Sequence, residues 1–228
     1  YLAGDLIARE SGIKINSINS ARSMNHVLHN LNMLINKILP LEPDYIFIMN
    51  NINDLYILMH EERFYWNDNP TRSLLVNNPK KGEKDLYLKI KSYVNNLIPH
   101  IYLRLQELKQ KIKSKPKGKT QKYIDKSFNY NLYANEFKKA LTSFIRVSKS
   151  YESKVVLMTQ PSRFTEVPSY PYNSELPYSI YRKAHMLFNE TIRTVSAVEN
   201  VGLIDLEKQI PQTKEYMYDL VHLNNSGS

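Results

Sequence analysis

Asp219-Leu220-Val221-His222 sets an acid and a histidine three residues apart, just past the apolar run 201–206. On a loop after a strand, such a pair can hold a carboxylate on one ring nitrogen while the other faces a cleft and takes a proton. That is the base half of a hydrolytic triad. The same spacing also suits a structural capping pair, and both readings stand at this level. Two further polar stretches follow apolar runs: Asn50-Asn51-Ile52-Asn53-Asp54 after residues 45–50, and Asn19-Ser20-Ala21-Arg22-Ser23 after residues 13–18. Both could equally cap helices, with Asp54 and Ser23 as N-cap candidates. Thr159-Gln160-Pro161-Ser162 ends a third run.

The elements that must position these groups are legible in outline. Residues 13–18, 45–50, 154–159 and 201–206 are short apolar runs with the flanks of buried parallel strands. Between them, Met24, Val27, Leu28, Leu31, Leu34, Ile35 and Ile38 recur at helical spacing and stop before Pro40. Tyr181, Ala184, Leu187, Phe188, Ile192 and Val195 repeat the pattern. Strand and helix alternate, which predicts a three-layer α/β domain with a parallel sheet and ligands at the carboxyl ends of its strands. The span from about 60 to 150 exceeds what a crossover needs and predicts a helical insertion, with helices over 86–112 and 130–148 joined by a turn at 113–122. It reads as a lid or as a passive helical pair.

Composition narrows the chemistry. The 228 residues are 42% hydrophobic and 23% charged, enough for one domain with a full core. There is no cysteine, which removes disulfides, cysteine metal sites and a cysteine nucleophile. The net charge of +9 is concentrated: residues 104–126 hold nine Lys and Arg against Glu107 and Asp125. Lys109 to Lys122 alternate around Pro116 and Gly118 with no aromatic among them, which describes a solvated linker rather than a nucleic-acid platform. No nucleic-acid partner, cofactor or metal is expected. His26 and His29 are read as a solvated helix face, and His60, His100 and His185 have no motif around them. Trp66 lines a pocket or fills a core beneath the insertion.

Pro43-Asp44-Tyr45-Ile46-Phe47-Ile48-Met49-Asn50-Asn51-Ile52-Asn53-Asp54-Leu55 resembles the third block of the SGNH hydrolases, the GDSL esterase/lipase family, a strand ending in Gly-x-Asn-Asp. Asp219-Leu220-Val221-His222-Leu223 resembles the fifth block, and Ile18-Asn19-Ser20-Ala21-Arg22-Ser23 sits where the second would be. The resemblance implies a flavodoxin-like sheet with the helical insertion after the third-block strand. It implies His222 as general base, Asp219 as its orienting carboxylate and Asn53 as an oxyanion donor. A backbone N–H at Ser23, or at Ala21, would be the second donor. Asn51 stands where the family has glycine.

The family's Gly-Asp-Ser nucleophile block has no counterpart. Ala3-Gly4-Asp5-Leu6 carries leucine in the serine position and lies in a helical pattern. The reading therefore expects the first strand and its serine ahead of Tyr1, a chain cut at both ends, and residues 13–18 and 45–50 as neighbours across the vacant strand position. Ser20, Ser23 and Ser162 are the nucleophile candidates within the chain. The function implied is hydrolysis of a small acyl ester, such as an acetyl group on a carbohydrate or envelope polymer. An acyltransferase using the same triad and a non-catalytic glycan- or partner-binding protein are the alternatives. A membrane anchor upstream of Tyr1 and an extracytoplasmic location complete the expectation.

Overall fold

A three-stranded, all-parallel sheet organises the computed structural model, which describes residues 2–22, 24–60, 129–164 and 178–228. In chain order the elements are helix α1 (Leu2–Ser11), α2 (Val27–Met33), strand β1 (Tyr45–Met49), α3 (Ile52–His60), α4 (Tyr130–Ser150), β2 (Lys154–Met158), α5 (Tyr178–Glu199), β3 (Gly202–Ile204) and the short α6 (Leu206–Gln209). A π turn, Leu34–Ile38, and a 3₁₀ turn, Leu39–Leu41, continue α2, so Pro40 sits inside a helical turn rather than beyond one. The described residues all belong to one compact unit; the second unit, residues 68–128, lies outside them. So do the expected helix over 86–112, the lysine-rich stretch 109–122, Trp66 and His100.

The sheet order β1-β2-β3 follows the chain, with Ile46 opposite Val155, Ile48 opposite Leu157 and Leu157 opposite Leu203. Two long helices fill one face because each carries an apolar stripe at three- and four-residue spacing. α4 buries Tyr133, Phe137, Leu141, Phe144 and Ile145. α5 buries Tyr181, Ala184, Phe188, Ile192 and Val195. The rings of Phe137 and Phe188 stack at 4.5 Å, and Ile46, Ile48, Val155 and Leu157 of the sheet are all buried. α4 is thus the crossover helix between β1 and β2. Its start is fixed by Asn129, whose side chain accepts the Leu132 N–H at 3.1 Å. α5 ends at Asn200, whose φ of 48° is the left-handed turn asparagine tolerates.

Three strands, not four, are present among the described residues. Residues 13–18 form no ladder, and Ile13 and Ile18 are 64% and 65% exposed. An apolar run becomes a buried strand only when neighbours supply both ladder and cover, and here neither is in place. For the same reason β1 is buried on one face only: Tyr45, Phe47 and Met49 are exposed and alternate with Ile46 and Ile48. Of the three layers expected, the described residues supply the sheet and the helical layer on one face. Ala3-Gly4-Asp5-Leu6 is helical, as its pattern predicts. Gly4 is needed there for space, since a Cβ would strike the Ser17 hydroxyl. No helix among the described residues is long and apolar enough to cross a membrane.

Candidate active site

The carboxyl ends of the three strands carry the polar loops, as the α/β arrangement requires. β1 runs into Asn50 and Asn51, β2 into Thr159 and Gln160, and β3 into Asp205. These ends are tied together. Thr159 donates its N–H to the Ile204 carbonyl at 3.2 Å and its hydroxyl to Asp205 at 2.8 Å. Arg193 of α5 donates to both Asp205 oxygens at 2.8 and 2.9 Å and reaches Glu207 at 2.5 Å. This bidentate contact draws the Asp205 carboxyl well below the usual carboxylate range.

Asp219 and His222 lie in a tight hairpin. Met217 and Leu223 form an antiparallel bridge, and the Tyr218 N–H donates to the His222 carbonyl at 2.8 Å. Asp219 Oδ1 accepts the main-chain N–H of Val221 and of His222, both at 2.9 Å, while Oδ2 meets His222 Nδ1 at 2.7 Å. A carboxylate only accepts, so Nδ1 carries a proton in this contact, and in the neutral imidazole that leaves Nε2 as the acceptor. The expected acid–histidine contact is present, and the same turn that clamps the carboxylate through main-chain N–H groups sets it against the ring. Burial alone would raise the Asp219 carboxyl, but the Val221 N–H and the His222 ring and N–H outweigh it, leaving the group below its ordinary value. The His222 ring is 71% exposed, and Asp219 is its hydrogen-bond partner among the described residues.

Asn53 lies in the first turn of α3 and donates Nδ2 to the Asn25 carbonyl at 2.9 Å. That bond uses one of its two Nδ2 hydrogens. Gln160 and its loop contact both the start of α3 and the Asp219–His222 hairpin. The Ile52 N–H donates to Gln160 Oε1 at 3.0 Å, and the Arg163 N–H donates to the Leu220 carbonyl at 2.9 Å. One short segment, 160–163, therefore holds both the turn before Asn53 and the hairpin of Asp219 and His222. Ser23 lies outside the described residues. Ala21, the other candidate for the second donor, spends its N–H on the Asn19 side chain at 3.0 Å.

Several expectations are corrected. Ser162 is 3% exposed, which takes its hydroxyl away from any substrate. His26 is 1% exposed rather than solvated: α2 starts at Val27, one turn later than the apolar spacing suggests, so His26 is its N-cap and packs against the His29 ring at 3.7 Å. Burial, with the nearby His29, pushes the His26 imidazole down to about 3. Asp54 is not an N-cap of α3; it is fully buried inside the first turn and accepts the Val27 N–H of α2 at 2.8 Å. His185, passed over in the sequence, is fully buried against the Phe164 ring. Asn51, in the family's glycine position, makes a contact glycine could not: its Nδ2 donates to Asn189 Oδ1 at 2.8 Å and to the His185 carbonyl at 3.0 Å. Asn189 in turn exchanges two hydrogen bonds with the Gln160 main chain. Polar residues on the buried stripe of α5 were the available signal for this second anchor. No cluster of metal-ligating side chains is present among the described residues.

Solved structures share this architecture. Axe2, an acetylxylan esterase from Geobacillus stearothermophilus, matches with a TM-score of 0.54 at 14% identity, over 100% of this chain and 73% of its own. The acetyl xylan esterase AlAXEase matches with a TM-score of 0.52 at 14% identity, over 99% and 83%. The fold is that of the acetyl xylan esterases. LAE5, an alpha/beta hydrolase enzyme from the metagenome of Lake Arreo in Spain, matches with a TM-score of 0.53 at 15% identity, over 99% and 73%. The expected α/β fold with a parallel sheet is thus present. No protein-family model and no curated protein sequence matches this one.

Proposed function

We propose that this protein is an ester hydrolase that removes a small acyl group, acetyl in the first instance, from a carbohydrate. The observation that carries the proposal is the Asp219–His222 pair, with the carboxylate fixed by two main-chain N–H groups and the ring by a 2.7 Å bond. The acetyl xylan esterase fold supports the substrate class, as do matched Axe2 variants, described as catalytic mutants, in which a serine or a histidine is replaced by alanine. Tyr218, beside the dyad in the chain and 81% exposed, offers the flat apolar surface on which a sugar ring packs.

In this reading His222 Nε2 takes the proton of a serine hydroxyl as its oxygen attacks the acyl carbon. Asn53 Nδ2 and a main-chain N–H of the second-block loop, at Ser23, hold the oxyanion. The imidazolium then gives its proton to the departing sugar oxygen, and water, activated by the same Nε2, releases the acid. The serine belongs to a Gly-Asp-Ser block ahead of Tyr1, as the SGNH resemblance implies. An anchored extracytoplasmic setting goes with that reading.

The test is acetate release from acetylated xylooligosaccharides and from 4-nitrophenyl acetate by the full-length gene product. Turnover is expected on both. Binding of the oligosaccharide without acetate release would contradict hydrolysis and favour a glycan-binding protein.

A further inference from the structure

Three side-chain amides beside the candidate site point the same way. Asn25 Nδ2 donates to Asn30 Oδ1 at 3.1 Å, Asn30 Nδ2 donates to Asn50 Oδ1 at 2.9 Å, and Asn50 Nδ2 donates to Asp54 Oδ2 at 2.8 Å. Each amide has an accepting end and a donating end, so a chain of amides can run in either direction with equal hydrogen bonding. The direction is set where the chain meets a group that only accepts. Asp54 is that group: it is fully buried, and its other oxygen takes the Val27 N–H at 2.8 Å.

The far end of the chain reaches the chemistry. Asn25 is the residue whose carbonyl accepts Asn53 Nδ2 at 2.9 Å. We propose that Asp54 is a positioning residue: through Asn50, Asn30 and Asn25 it fixes the second-block loop and, with it, the orientation of the Asn53 amide that serves the oxyanion. The proposal rests on the hydrolase reading for its catalytic consequence, though not for the relay itself. It explains why a carboxylate is kept in a fully buried position with main-chain and amide donors around it, where an apolar residue would pack without the cost of burying charge. It also explains the run Asn50-Asn51-Ile52-Asn53-Asp54 as two interleaved devices. Asn50 and Asp54, four apart on one side of the turn, lock α2, while Asn51 locks α5.

Asp54→Asn keeps the shape and leaves the Val27 bond available, but it sets an NH₂ against the NH₂ of Asn50, so the relay must invert or break. In the full-length protein kcat should fall about 10- to 100-fold with KM within about twofold, the signature of a group acting in the transition state. The double variant Asn50→Asp/Asp54→Asn exchanges donor and acceptor. The introduced amide donates to the introduced carboxylate, whose other oxygen still accepts Asn30 Nδ2. It should return kcat to within about threefold of the wild type, a coupling that burial or charge at position 54 alone would not produce. Rescue also decides the matter if the single variant does not fold.

Side-chain ¹⁵N–¹H signals of Asn53 give a readout independent of turnover. They should shift in Asp54→Asn and return in the double variant. A single variant with wild-type kcat and an unshifted Asn53 signal, or a double variant as impaired as the single one, overturns the relay. A wild-type protein without esterase activity overturns the hydrolase reading, and the Asn53 signals still judge the relay.

Discussion

His185→Leu tests how the helical layer bears on the sheet beneath the site. The His185 ring is fully buried between α5 and Phe164, and neither ring nitrogen has a hydrogen-bond partner among the described residues. Burial pushes its imidazole from the ordinary 6.5 down to about 3. A folded-state value below the unfolded one means that the unfolded chain binds the proton first, so stability is full above 6.5 and falls as the pH drops toward 3. The slope is about 1.4 kcal/mol per pH unit, so lowering the pH from about 7.5 to about 5 removes about 2 kcal/mol through this ring alone. Against a typical stability of about 5–15 kcal/mol that is a large share. His26, also held at about 3, adds a slope of the same sign, so the contribution of His185 is read as a difference between proteins.

Urea unfolding of wild type and His185→Leu at about pH 7.5 and about pH 5 measures it, through midpoint and slope. The Asn51 bond to residue 185 uses the main-chain carbonyl and survives the substitution. The variant should be no less stable at the higher pH, since it removes two unpaired polar atoms, and should lose about 2 kcal/mol less on acidification. An equal loss in both proteins would refute the argument.

Asn53→Ala should lower kcat about 10²- to 10³-fold with little change in KM, measured by steady-state acetate release. Asp219→Asn should cost about 10⁴-fold in kcat, because an NH₂ facing Nδ1 forces the ring proton onto Nε2; far-UV circular dichroism should be unchanged. Arg193→Met leaves Asp205 and Glu207 facing one another at the end of β3. It should cost about 2 kcal/mol in urea unfolding, with the loss shrinking at high salt.

What the sequence revealed and what it hid divide along contact range. The Asp219–His222 pair was legible because the bonds of the Asp219 carboxylate itself span two or three residues. α4 and α5 were legible because an amphipathic stripe on a long helix is a local signal. Residues 13–18 read as a strand because apolar runs look alike whether or not a ladder exists; pairing belongs to the partner, which a single run does not encode. The contacts that tie Asp54 and Asn51 to distant helices were hidden for the opposite reason. Val27 to Asp54 spans 27 residues and Asn51 to Asn189 spans 138, and neither pairing follows from composition or period. His26 was misread because adding Met24 to the helical stripe shifted the wheel; Met24 in fact has a φ of 64° and precedes the helix.

The most direct test of the central claim is labelling of the full-length protein with a fluorophosphonate, which loses fluoride to a serine activated by an imidazole–carboxylate pair. Wild type should gain one adduct, mapped by peptide mass spectrometry to a serine in Gly-Asp-Ser context ahead of Tyr1, and His222→Ala should gain none. Equal labelling of both proteins, or an adduct on Ser20, Ser23 or Ser162, would contradict the assignment of His222 and Asp219 as the base that serves that nucleophile.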